Sequence, residues 1–240
     1  MCMSQSSVSR CVTQVSSCIN EILLERYVKF PLAPRDITNA QQRFMTKYHF
    51  PGVVGILDCT HVAIVPPAVN DPDLPEHMFV NRKGYHSINV QLICNADLTI
   101  LNVNARYGGA THDAFIWANS RAMVEMREMH TRNGHTSWLL GDSGYPLQQW
   151  LLTPVVGAAP GTPEYLYTSR HVATRSCIER CNGVLKSRFR CLRKDRVLHY
   201  KPTKAASIIN ACAVLHNLAI AVSFDALYKL IHCVKYEYVL

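Results

Sequence analysis

The chain has 240 residues, of which 48% are hydrophobic and 18% charged, with 11 Gly and 12 Pro. That balance supplies a buried core and excludes a mostly disordered, collagen-like or low-complexity chain. The formal net charge of +8 points to a polyanionic partner without naming one. No repeat recurs at solenoid periods. The opening MCMSQSSVSR lacks a basic start followed by an apolar run, so no secretory signal is expected.

Ten cysteines lie scattered at 2, 11, 18, 59, 94, 177, 181, 191, 212 and 233, most of them inside apolar patterns. They read as reduced thiols packed like small apolar side chains. Cys177 and Cys181 come nearest to a zinc-type pair, but on a helix they form one turn of a core stripe.

In chain order, residues 7–29 read as an amphipathic helix on Val8, Cys11, Val12, Val15, Ile19, Ile22 and Leu23. Pro31 and Pro34 end it, and a second helix follows over 38–48. VVGILD (53–58) is an apolar run closed by a carboxylate, the pattern of a buried strand, with 61–65 as its expected hairpin partner. A Pro- and Asp-rich loop covers 66–83. Strands follow at 87–94 and 99–107, joined by an Asn95-Ala96-Asp97 turn. Gly108-Gly109 breaks the second, and Thr111 caps a helix expected over 112–129. WLLGD (138–142) is another short strand ended by a carboxylate. Residues 145–163 are mostly loop, with a helical turn at 148–151. Helices are expected from Ser169 or Thr174 to Leu192 and from Thr203 to Val222. The apolar stretch from Ile208 to Phe224 is interrupted by Asn210, His216, Asn217 and Ser223, so it reads as a buried helix and no membrane span is expected. The order predicts an α/β domain over 51–222, a mixed sheet flanked by helices, preceded by a helical appendage over 1–50 and followed by a tail over 223–240.

Asp58 and Asp142 each end a strand, and ligand sites in α/β sheets collect beyond such ends. If the two strands are parallel neighbours, both carboxylates enter one cleft and need a shared cation or proton. Oxygen-only donors suit Mg²⁺ or Mn²⁺. Glu179 flanks the stripe Ile178, Cys181, Leu185, Leu192 and is a third candidate. Its plain alternative is an intrahelical pair with Arg175. Asp113 is a fourth, with favourable placement at a helix N-terminus as the alternative. The window 175–196 holds eight Lys and Arg against Glu179 and Asp195, most of the chain's positive excess. It is either a phosphate-binding patch or a solvated helix face. Arg82 and Lys83 read as plain surface loop.

Five blocks in order, GILDCTHV (55–62), NRKGYHSINVQLICN (81–95), GGATHDAFIWANS (108–120), LLGDSGYPL (139–147) and IERCNGVLKSRFRCL (178–192), resemble the PIF/Harbinger-type DDE transposases, most of all their domesticated, nuclease-like branch. The likeness runs from about Pro51 to Ile220. It implies a ribonuclease H-like fold, with Asp58, Asp142 and Glu179 as the catalytic acids and Asp113 as an additional metal carboxylate. It further implies two-metal cleavage of DNA phosphodiester bonds with Mg²⁺ or Mn²⁺. Lys186, Arg188, Arg190, Arg193 and Arg196 would then hold backbone phosphates. The family's usual companion is a Myb-like protein supplying DNA recognition and nuclear entry, which implies a nuclear location, and a cytoplasmic one without the partner. RFRCLRKDR (188–196) is a weak import signal of the chain's own. Family members usually carry a longer N-terminal region with a helix-turn-helix-like part. Only about 50 residues precede Asp58, and the last 18 depart from the usual tail, so the expectation is a shortened family member without autonomous sequence-specific binding.

Two other functions fit parts of the pattern. A domesticated transposase can keep its fold and acids yet act only as a DNA- or partner-binding protein. GDSG (141–144) also surrounds the nucleophile of trypsin-like proteases, with His61 and Asp113 preceding Ser143 in the required order. Those proteases are all-β, secreted and disulfide-bonded, which this helix-rich pattern opposes.

Overall fold

A computed structural model of the chain describes residues 4–69, 71–134 and 136–221. Its strands are β1 (Val53–Ala63), β2 (Ser87–Cys94), β3 (Ile100–Gly108), β4 (Trp138–Leu140) and β5 (Leu151–Leu152). Its helices are α1 (Gln5–Tyr27), α2 (Pro34–Tyr48), α3 (Asp113–Ala118), α4 (Arg121–Arg132), α5 (Pro163–Arg188) and α6 (Pro202–Ala221). The strands form one mixed sheet in the order β3-β2-β1-β4-β5. β1, β2 and β3 run antiparallel as a meander, while β4 and β5 run parallel to β1. The expected α/β class, a mixed sheet flanked by helices, is what the chain adopts.

The two sides of the sheet are covered by different helices. Ile56, Leu92 and Leu140 pack with Cys177, Ile178, Cys181 and Leu185 of α5 and with Ile208, Ile209 and Cys212 of α6. Val54, Leu57, Ile93 and Leu139 turn the other way, onto Ile37 and Ala40 of α2, Trp117 of α3 and Met126 and Met129 of α4. β2 and β4 show the period-2 alternation of strands buried on both faces, while the irregularity between Val53 and Gly55 shifts it in β1, so Val54 and Ile56 face opposite sides. Each such side chain contributes roughly 1.5–3 kcal/mol on burial. α6 is long and apolar enough by length and composition to cross a membrane, yet more than half of that stretch is buried within this body. It is the buried helix its polar interruptions indicate; Val222 lies outside the described residues.

The elements differ from expectation at several places, among them the start of α2 at Pro34 and the end of α5 at Arg188. The expected 53–58 strand and its 61–65 hairpin partner are a single strand, β1, paired with β2 from Ile56 opposite Cys94 to Ala63 opposite Ser87. Its polar stretch, Asp58 to His61, is half-buried rather than turned. The helix expected over 112–129 is two, because Ser120 accepts the Met123 N–H and starts α4 afresh. Its first cap is His112, not Thr111. The turn at 148–151 leads into β5, a strand too short for periodicity to reveal. α5 begins earlier than expected, with Thr162 as N-cap and Pro163 at the first position. On α1, Val12 packs towards the core, whereas Val8, Val15 and Ile22 are exposed.

Candidate active site

The sheet itself brings two of the acids together. Ile56 of β1 pairs with Leu140 of β4 in parallel register. Asp58 lies two residues beyond Ile56, and Asp142 two beyond Leu140. Neighbouring strands stand about 4.8 Å apart and successive side chains alternate, so Asp58, in mid-β1, faces the side covered by α5, where Arg175 meets it, and Asp142, just past β4, is near enough for its charge to act on Asp58. The Gly141 N–H donates to the Leu152 carbonyl at 3.0 Å, which carries this register past the end of β4.

The GDSGYP turn then holds Asp142. The Gly144 N–H donates to Asp142 Oδ1 at 2.9 Å. A Cβ on Gly144 would stand 3.1 Å from that same oxygen, and one on Gly141 would stand 3.0 Å from the Tyr145 ring. Tyr145 is buried, and its hydroxyl donates to Cys59 Sγ at 3.4 Å, pinning the turn to β1. Burial pushes both the Cys59 thiol and the Tyr145 phenol up, so both stay protonated and serve as anchors.

Asp113 reaches the same region from the opposite side. It is the first residue of α3, after the Gly108-Gly109 bend. Asn89, paired with His61 across β1 and β2, donates to Asp113 Oδ1 at 2.7 Å and to the Thr111 carbonyl at 2.9 Å. Burial, with Asp142 and Asp113 adding to it, pushes the Asp58 carboxyl up to about 6 against the pull of Arg175. A carboxylate so raised beside two others marks a site short of positive charge.

Glu179 stands apart from these three. It is 61% exposed, and Arg175 lies between it and the strand ends: one guanidinium nitrogen is 2.9 Å from Glu179 Oε1 and the other 3.4 Å from Asp58 Oδ2. The intrahelical pair weighed from the sequence is therefore present, and it is also the link between Glu179 and Asp58. Among the described residues, no three His, Cys, Asp or Glu side chains are grouped closely enough to hold a metal ion. With Arg175 in place, the four acids form a loose arc.

The cations divide into two sets. Lys186 is mostly buried, and its ammonium donates to Thr60 Oγ1 at 2.7 Å and to the His61 carbonyl at 2.8 Å. Arg188 donates to the His216 carbonyl at 3.2 Å, and Arg193 pairs with Asp195 at 3.0 Å. Arg190 and Arg196 line a groove of about 1110 Å³ against the start of α1. Arg82 and Lys83 are exposed in the turn before β2, the surface loop read from the sequence, and their charges reach His61. Burial holds His61 below its usual range, Asp113 opposes that, and the charges of Lys186, Arg82 and Lys83 reinforce it. His61 Nδ1 meets Ser87 Oγ at 3.1 Å while Ser143 is exposed, an arrangement that offers no base for a serine nucleophile.

Sequence comparison assigns the class. Residues 57–217 match the family model described as DDE superfamily endonuclease, so the chain belongs to that family. Over 229 residues it is 39% identical to "Putative nuclease HARBI1" of Homo sapiens, covering 93% of this chain and 61% of that protein. The Xenopus laevis protein of the same name is 37% identical over 229 residues, covering 93% and 62%. "Protein ALP1-like" of Arabidopsis thaliana is 25% identical over 228 residues, covering 91% and 54%. The harbinger resemblance carried by the five blocks is thus borne out, and the chain spans about 61% of the length of the HARBI1 relatives it matches. No solved structure matches the chain.

Proposed function

We propose that the chain is a divalent-metal-dependent nuclease of transposase descent that cleaves DNA phosphodiester bonds, with Asp58, Asp142 and Glu179 as catalytic acids and Asp113 as an additional metal carboxylate. The observation that carries this is the parallel pairing of β1 and β4 up to Ile56 opposite Leu140, which sets Asp58 in mid-β1 near Asp142 just past the end of β4. The sheet order β3-β2-β1-β4-β5, antiparallel on one side of β1 and parallel on the other, supports a ribonuclease H-like reading. The donor set fits Mg²⁺ or Mn²⁺: oxygen ligands only, with Asp142 and Asp113 near enough to Asp58 to raise its carboxyl against the pull of Arg175.

Bound in pairs, such ions supply an activated water or 3′-hydroxyl and neutralise the leaving oxygen. The protein's part is placement. Asp58 and Asp142 are fixed by the sheet and the Tyr145 anchor. Asp113 is oriented by Asn89. Arg82 and Lys83 offer positive charge to the phosphates beside the acids. Arg175 neutralises Asp58 and keeps Glu179 next to it.

Calorimetric titration with Mn²⁺ tests the site. Wild type is expected to bind, and Asp58→Asn and Asp142→Asn to lose binding; equal binding by all three removes the site. Nicking of duplex DNA with Mn²⁺ tests turnover, which Glu179→Gln is expected to abolish. One observation favours a second reading, a catalytically silent DNA- or partner-binding protein: Arg175 already compensates Asp58 and engages Glu179. Metal binding without nicking, even with a partner present, would establish that reading. With the nuclease go a Myb-like partner and a nuclear location, cytoplasmic without the partner; imaging of the tagged chain with and without the partner checks both.

A further inference from the structure

We propose that Arg175 competes with a divalent metal for Asp58 and Glu179, an inference that rests on the metal site proposed above, and that the site loads only as the guanidinium swings out from between them. Arg175 lies on α5, one turn before Glu179. Its Nη2 is 2.9 Å from Glu179 Oε1, and its Nη1 is 3.4 Å from Asp58 Oδ2. Two of the acids assigned to the metal are thus joined through a cation that the chain itself supplies.

A guanidinium and a metal ion do not share two carboxylates on equal terms. Oxygen ligands stand about 2.0–2.1 Å from Mg²⁺, so an ion held by both acids would set its two charges close against the arginine. Like charges at such range disfavour each other. A histidine in that place could relieve the repulsion by losing its proton, whereas arginine stays charged at any working pH. The relief left is movement of the side chain.

The contacts that hold Arg175 suit such movement. At 3.4 Å its approach to Asp58 is longer than an ordinary hydrogen bond. Nη1 is buried, yet it has no hydrogen-bond partner among the described residues. The hydrogen bond that Nη2 donates goes to Glu179, whose side chain is 61% exposed, and pairs of that kind on one helix contribute little to stability. Asp58, by contrast, is held in mid-β1, where its Oδ1 accepts the Cys59 N–H at 2.9 Å. When the guanidinium leaves, Asp58 keeps its place, and Glu179, no longer held in the pair, becomes available to the ion.

The full chain tests this with Mn²⁺ alone as the probe. By calorimetric titration, Arg175→Gln is expected to bind Mn²⁺ about tenfold tighter than wild type, the scale on which one neighbouring charge moves such an equilibrium. Arg175→Gln combined with Asp58→Asn is expected to lose that binding. Phenylglyoxal, which modifies accessible guanidinium groups, reads the movement in wild type. Mn²⁺ is expected to raise the rate of modification at Arg175 severalfold by peptide mass, against Arg121, whose side chain is 86% exposed, as the internal reference. Asp58→Asn is expected to show no rise. If wild type binds Mn²⁺ through Asp58 but folded Arg175→Gln binds no tighter, or Arg175 gains no reactivity, the competition is overturned and the metal site stands. If neither wild type nor Arg175→Gln binds Mn²⁺, both fall together. Binding by Arg175→Gln alone supports both. Should Arg175→Gln fail to fold by circular dichroism, the modification rate in wild type decides.

Discussion

The ammonium group of Lys186 lies against β1, and burial together with the charge of Lys83 brings its pKa down to about 8. In the unfolded chain the same group titrates near 10.4. Between these values the unfolded chain binds more protons than the folded one, so folding stability rises with pH across that window. Below about pH 8 the folded chain bears the whole cost of a buried charge, up to roughly 3 kcal/mol. Lys186→Met has no such group. Denaturant titrations from about pH 7 to pH 10 are expected to show wild type gaining stability relative to Lys186→Met as pH rises. A pH-independent difference would mean that the ammonium is fully solvated. The same residue shows why its sequence assignment needed the fold. A lysine two residues before the first of four arginines reads as one more phosphate ligand, yet two of its hydrogen bonds are spent on the strand carrying Asp58.

At the scale of elements, the Gly108-Gly109 bend sets where α3 begins and so where Asp113 sits. A Cβ on Gly108 would lie 2.1 Å from the Met78 carbonyl oxygen, and one on Gly109 would lie 2.2 Å from Ser87 Oγ and 2.7 Å from the Phe79 carbonyl oxygen. Backbone cannot yield as a flexible side chain can. Gly109→Ala is therefore expected to lose about 1–3 kcal/mol by urea denaturation, the usual range for overpacking; a loss below about 0.5 kcal/mol, typical of an unconstrained surface site, would show the bend to be loose. Asp142 was legible just past a strand because a short apolar run closed by Asp is a local signal, and so were β2, β3 and the buried stripe of α5, whereas Asp58, which the same signal set at a strand end, lies in mid-β1. The full length of β1 was not, since its outer half is polar for the sake of the site and imitates a turn. Nor was the division of α1 into a packed and an open face, because periodicity shows that residues are apolar and not what covers them. Arg175 and Asn89 join the candidate site through lateral contacts between distant segments, and no local pattern marks those. Arg175 was visible only as a partner for Glu179, four residues away.

For the whole molecule, a net charge of +8 suits the DNA substrate proposed above but does not say along which path it would lie. The cations lie in two places: Arg82, Lys83 and Lys186 around His61 beside the acids, and Arg190 and Arg196 along the groove at the start of α1. A phosphate contact contributes about 0.9 to the slope of log affinity against log salt on duplex DNA. If the backbone crosses the acids, Arg82→Ala/Lys83→Ala is expected to lower that slope by about 2 and to weaken binding to all sequences alike. Arg188→Ala is expected to leave it unchanged, because that guanidinium is engaged with His216. Fluorescence anisotropy on a short duplex across a salt series measures both. A slope that responds to Arg190→Ala/Arg196→Ala and ignores Arg82→Ala/Lys83→Ala would move the DNA to the groove at α1. The cleavage assigned to Asp58 and Asp142 would then lose its substrate.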